Sequence, residues 1–154
     1  MPSLVLNELS CPYPERYRPM SAEELSRYFS CADNRAGIHD GERHAAVSVS
    51  FAKAGWLYAL TDAASVLKGA QRSMKRNLKN YRELETRSLT VAGQKASAVR
   101  FEYTANDKQI EQCGELVVFR YKKKFYSVYY ISWKEFNEQN LPAFYEMLDS
   151  MSLQ

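Results

Sequence analysis

Residues 125–133, Phe-Tyr-Ser-Val-Tyr-Tyr-Ile-Ser-Trp, constrain the fold more than any other stretch of this chain. Side chains of a strand alternate between two faces. Phe125, Tyr129, Ile131 and Trp133 share one face, with Ser127 as a small member, and Tyr126, Val128, Tyr130 and Ser132 share the other. Both faces are apolar enough to need cover, so this strand is expected inside a sheet with a helical layer on each side.

The surrounding sequence extends that sheet. Glu115–Tyr121 precedes the strand, and Lys122, Lys123 and Lys124 between them predict a hairpin with a lysine tip. A second hairpin is predicted from Leu84–Val91 and Ala96–Thr104 around Ala92-Gly93-Gln94, with Val99, Phe101 and Tyr103 alternating against Arg100, Glu102 and Thr104. Ala45–Phe51 reads as a further strand, with Val47, Val49 and Phe51 alternating with Ser48 and Ser50, and Leu4–Leu9 as a short first one. The three prolines of Cys11–Pro19 argue against regular structure there. Asn34–Glu42, punctuated by Gly37 and Gly41, reads as a loop, and Gly55–Leu60 as a connection whose Trp56 and Tyr58 pack on the domain.

Three helices are expected. Ser21–Ser30 opens with Ser21 and Glu24 in the spacing of a capping box, and Leu25, Tyr28 and Phe29 form its apolar face. Thr61–Tyr81 is capped by Thr61 or Asp62 and carries Leu67, Ala70, Met74, Leu78 and Tyr81 in one stripe. Phe136–Ser150 carries Leu141, Phe144, Leu148 and Met151, and Pro142 suggests that its regular part begins with Asn140 as N-cap. The order β-α-β-α-β-β-β-β-α, rich in hairpins, predicts an α+β fold: one twisted, mainly antiparallel sheet with helices packed on its faces. At 154 residues, residues 1–154 are expected to form a single domain.

These motifs resemble the PsbP-like superfamily, which includes the photosystem II extrinsic subunit P, a Ran-binding nuclear import factor and many small uncharacterised bacterial proteins. The resemblance rests on the long helix Thr61–Tyr81, the Leu89-Thr90-Val91-Ala92-Gly93-Gln94-Lys95-Ala96 strand and turn, Arg100-Phe101-Glu102-Tyr103, Phe125-Tyr126-Ser127-Val128 after a basic turn, and Met147-Leu148-Asp149-Ser150-Met151. It covers about Ser48 to the C-terminus; the capped helix Ser21–Ser30 matches only the small bacterial members. It implies an α/β/α sandwich and a non-enzymatic accessory, chaperone or partner-binding role. The acidic surfaces and metal positions of particular relatives have no residue-by-residue match here, so none is carried over.

Chemistry is sparse. His39, Asp40, Glu42 and His44 form the densest group of metal-ligating types, but no cysteine or histidine elsewhere completes a set, and they read as a polar turn. With only these two histidines, in one segment, a nucleophilic triad has few options, and no G-x-S-x-G motif or phosphate-cradling glycine loop appears. No catalytic residue, metal or cofactor is expected; an enzyme would need a site assembled from distant residues. No segment is long and apolar enough to span a membrane, and no membrane partner is expected. The N-terminus lacks a basic leader, Glu8-Leu9-Ser10 does not make a lipoprotein cleavage box ahead of Cys11, and Cys11, Cys31 and Cys113 fit no disulfide framework. A cytoplasmic location is therefore expected.

Two surface features remain. Lys68, Arg72, Lys75, Arg76 and Lys79 lie off the apolar stripe of the long helix with no acidic residue among them, and Lys122–Lys124 add a second basic locus. Together with aromatic side chains such as Trp56, Tyr126 and Tyr130, they are the candidate partner-binding residues. The leading expectation is a protein partner. The alternative is an acidic protein or nucleic acid bound through the basic helix, although the tyrosines sit where strands bury them rather than where bases stack.

Overall fold

In a computed structural model, residues 1–29, 33–55, 60–105 and 109–154 are described. The elements are β1 (Ser3–Leu6), β2 (Leu9–Pro12), β3 (Arg18–Pro19), α1 (Ala22–Phe29), β4 (Arg35–Asp40), β5 (Ala45–Lys53), α2 (Ala63–Asn77), β6 (Lys79–Val91), β7 (Gln94–Ala105), β8 (Ile110–Tyr121), β9 (Lys124–Trp133), α3 (Asn137–Ser150) and β10 (Ser152–Leu153). Seven strands form one antiparallel sheet in the order β3-β4-β5-β9-β8-β7-β6, and β1, β2 and β10 form a small second sheet. The fold is α+β, as expected, and β9 is its central strand.

Both faces of β9 are covered. Phe125 joins Val99, Phe101, Leu116 and Val118 in a core closed by Leu67 and Met74 of α2, with Tyr129 packed against it. Phe29 of α1 meets Tyr129 edge-on at 5.5 Å. On the opposite face, Tyr126, Val128 and Tyr130 join Val117 and Phe119 beneath Phe144, Met147 and Leu148 of α3 and Leu4, Leu9 and Cys11 of the small sheet. Gly114 is required on β8: a Cβ there would stand 2.6 Å from the ring of Phe101, its cross-strand neighbour.

The capping box is present. Ser21 Oγ accepts from the Glu24 amide at 3.2 Å, and the Ser21 amide donates to Glu24 Oε1 at 3.0 Å. Asp62 caps α2 by accepting from the Ser65 amide at 2.8 Å. Other expectations are corrected. Leu4–Leu9 is not one strand but the body of the β1–β2 hairpin, turned at Asn7, whose φ is 51°. Within the proline-rich stretch, Arg18 and Pro19 pair with β4, and the segment read as a loop is largely β4, with Gly37 lying against Leu25. α2 ends at Asn77, so Tyr81 belongs to β6 although its ring still packs on Phe101 at 5.4 Å. The helical and strand periods place Leu78 and Tyr81 on the same side, which is why the apolar stripe runs past the helix end.

Asn140 is not an N-cap. It lies inside α3, wholly buried, and its Nδ2 donates to the Arg43 carbonyl and to Ser132 Oγ, both at 2.8 Å. The residue ties α3 to the β4–β5 turn and to β9. Asn140→Ala is expected to destabilise the fold by about 2–3 kcal/mol in chemical denaturation, because it leaves two acceptors without their donor.

The β8–β9 turn holds Lys122 and Lys123 at φ of 48° and 60°, where β6–β7 places Ala92 and Gly93. Two-residue turns of this type need left-handed backbone at both positions, which favours Asn and Gly. Lys123→Gly is expected to raise stability by about 0.5–1 kcal/mol, measured by the denaturant midpoint, because it relieves the left-handed penalty of a side-chain-bearing residue.

Candidate functional site

The residues singled out in the sequence divide into three places. Lys68, Arg72, Lys75 and Arg76 are exposed on the side of α2 opposite Leu67 and Met74. Helical spacing puts them together. Residues 63–77 contain no acidic side chain, and among the described residues none of the four makes an ion pair. Lys79 does not belong to this face; it starts β6, and its ammonium donates to Gln109 Oε1 at 2.8 Å.

The lysine turn is a separate surface. Lys122 donates to the Gln154 carbonyl at 3.0 Å, and Lys124 lies 2.9 Å from Glu8 Oε1. Tyr126 is fully buried and its hydroxyl donates to the same carboxylate, while Tyr130 is 1% exposed, with its hydroxyl donating to Asn137 Oδ1 at 2.7 Å. Even-numbered residues of β9 face the small sheet and odd-numbered ones face α2, so Lys124 and the α2 cations stand on opposite sides of the sheet. Tyr126 and Tyr130 are core residues and supply no exposed aromatic patch; Trp56 lies outside the described residues.

Glu8 thereby gains an acid-sensitive role. The Tyr126 hydroxyl, then Lys124, hold its carboxyl at about 2, below the ordinary value of 4.5. A depressed carboxyl contributes stability that is present above the unfolded value and lost as pH falls through the folded one. Glu8→Gln is expected to be less stable than the parent above about pH 5, and the difference should disappear between about pH 4.5 and 2 when urea midpoints are compared across that range.

The histidine segment does not assemble a metal site among the described residues. His39 Nε2 lies 3.3 Å from Glu24 Oε2 of α1. Asp40 faces the other way, 3.3 Å from Arg16, and accepts from the Glu42 and Arg43 amides. His44 stacks on Trp133, with ring centroids 3.5 Å apart and planes 4° off parallel.

These contacts border a feature that periodicity alone did not reveal: a cleft of ≈ 540 Å³ on the α1/α2 face of the sheet. Ala46 and Ile131, paired neighbours on β5 and β9, lie in its lining with Tyr28, His39, Tyr103 and Trp133. Tyr28 is 47% exposed at the rim. Tyr103 donates to Gln112 Oε1 at 3.1 Å, and burial pushes its phenol up to about 12, so it stays a neutral donor. The sequence signal was small residues, Ala46 at the head of the small-residue face of β5 and Ala105 after Val99, Phe101 and Tyr103 on β7; only register brings them opposite Ile131 and Ile110. The lining holds two imidazoles, His39 and His44, while Glu24 lies outside it, and among the described residues it holds no Ser, Thr or Cys side chain.

An antiparallel sheet covered on both faces, with an aromatic cleft at one end, is the fold shared with cyanobacterial PsbP. The chain belongs to the family described as "Probable lipoprotein LpqN", whose model matches residues 4–134. Solved structures agree in fold. LpqN of Mycobacterium tuberculosis, described as involved in cell envelope biogenesis, is 17% identical over 95% of this chain and 83% of its own, with a TM-score of 0.67. Cyanobacterial PsbP from Synechocystis sp. PCC 6803 is 11% identical over 96% and 87%, with a TM-score of 0.64. The Ran-binding protein Mog1p of Saccharomyces cerevisiae is 8% identical over 95% and 90%, with a TM-score of 0.61. No curated protein matches the chain by sequence.

This membership corrects the expected cytoplasmic location: a family of probable lipoproteins, with a solved member tied to the envelope, points to the cell envelope instead. Cys11 itself sits in β2 opposite Leu4 with its thiol wholly buried, and burial pushes that thiol up to about 12.

Proposed function

We propose that this is a non-enzymatic accessory domain of the cell envelope that binds a protein partner through the α1-side cleft. The observation that carries the reading is the composition of the lining: aromatic walls from Tyr28, Tyr103 and Trp133 around an apolar floor of Ala46 and Ile131. Such a pocket accepts an apolar anchor side chain, and tyrosine and tryptophan at its edge add contact area together with a hydrogen-bonding tip. Among the described residues of the lining no Ser, Thr or Cys stands beside His39, and its contact with Glu24 links α1 to β4. The relatives support the same direction: one is named as Ran-binding and another as acting in envelope biogenesis.

The test is photo-crosslinking from position 28. A photoreactive phenylalanine analogue in place of Tyr28 is expected to capture a discrete envelope protein. Ala105→Trp, which plugs the cleft, should cut that capture, and the affinity of the purified pair, by at least about tenfold, the size of one lost anchor contact. Capture that is equally strong with the cleft plugged overturns the reading.

A further inference from the structure

The unpaired cations of α2 find no use in the cleft. Several basic side chains elsewhere on the surface meet carboxylates: Arg16 with Asp40, Arg27 with Glu23, Arg87 with Glu115, Arg100 with Glu85, Lys124 with Glu8, and Lys134 with Glu102 and Glu111. Lys68, Arg72, Lys75 and Arg76 instead stand side by side without an acid on their helix. Two carboxylates lie nearby: Asp62, which caps the helix and attracts Lys68 weakly, and Glu83, which accepts from Gln71 and Tyr81.

We propose that this outer face of α2 rests on an anionic phospholipid bilayer. Three observations favour a bilayer over other polyanions. The face carries no aromatic side chain, so it lacks the stacking platform with which nucleic-acid binders hold bases. It also lacks a large exposed apolar residue: Ala64, Ser65 and Gln71 lie among the cations, whereas protein interfaces centre on aromatic anchors and are depleted in lysine. Finally, the family is one of probable lipoproteins, which puts its members beside a membrane. A cationic helix face, with one open groove along the edge that carries Ala64, Lys68 and Gln71, suits a flat, diffuse negative charge. Each basic residue near such a surface strengthens partitioning by about fivefold, and salt screens the attraction over about 10 Å at 0.1 M. The inference shares with the cleft reading only its envelope setting.

The experiment is co-sedimentation of the full chain with vesicles of neutral phosphatidylcholine and with vesicles containing anionic phosphatidylglycerol. The parent is expected to bind the anionic vesicles only, at least about a hundredfold more tightly than the neutral ones at low ionic strength, with most binding lost in high salt. Combined K68E, R72E, K75E and R76E should abolish binding. A control with the same charge change elsewhere, R18E, R43E, K95E and K123E, should retain most of it, with circular dichroism reporting the fold of both. These α2 positions lie outside the cleft lining, so loss of vesicle binding with crosslinking from position 28 intact separates the two readings. The proposal is overturned if anionic vesicles do not bind, if the control loses binding as fully as the α2 variant, or if heparin or duplex DNA competes the protein off vesicles at equal charge concentration.

Discussion

Pairing of β9 with β5 on one side and β8 on the other is the constraint on which the rest depends. Nine residue pairs join β5 to β9 and ten join β8 to β9, and the strand they enclose carries apolar side chains on both faces. Because side chains alternate strictly, this one register assigns every residue of β9 to a layer. Phe125 goes to the α2 core, and Tyr126, Val128 and Tyr130 go to the core beneath α3. A one-residue slip would exchange the two sets, and neither the stacking of Tyr130 on Phe144 at 4.7 Å nor the Tyr126–Glu8 hydrogen bond would survive.

The layer beneath α3 is closed by polar groups as well as by packing. Glu115 is fully buried opposite Tyr130, where an unpaired carboxylate would be costly. Arg87 reaches it at 2.7 Å, the Tyr145 hydroxyl donates to it at 3.0 Å, and the guanidinium lies over the Tyr145 ring at 4.9 Å. Asn140 and Glu8 play the same part at two other points. Each fixes a covering element to the sheet through directional bonds, which specify position more sharply than apolar contact does.

What could be read in the sequence was what depends on local period and turn chemistry. The hairpins around Ala92-Gly93 and the lysine turn, the capping box at Ser21 and the two-faced character of residues 125–133 all follow from neighbours within a few positions. What could not be read depends on distant pairing. β4 looks like a loop because Gly37 is there to admit Leu25, a contact made only after α1 folds back on the sheet. Asn140 resembles a cap because its true partners, Arg43 and Ser132, are set by tertiary structure. The four cations of α2 were legible as one face because a helix fixes their spacing, whereas Lys79 was lost to β6, and Tyr126 and Tyr130 to the core.

The same reasoning explains why the cleft lies where it does. On the α3 side, a 14-residue helix and a three-stranded sheet share the cover. On the other side, the described cover is α1, of eight residues, and α2, of 15, set against seven strands. α1 lies over β4 and α2 over β7 and β8, and among the described residues the sheet between them near Ala46 and Ile131 borders the cleft, which Arg27 and Tyr28 of α1 line without filling. Folding by itself gives no reason to line such a gap with tyrosine and tryptophan, since leucine or valine would pack it with less polar surface to satisfy. Amphipathic rings at the rim of an incompletely covered core are better suited to contact with a second molecule, and that asymmetry between the two faces is the reason for placing the proposed partner on the α1/α2 side.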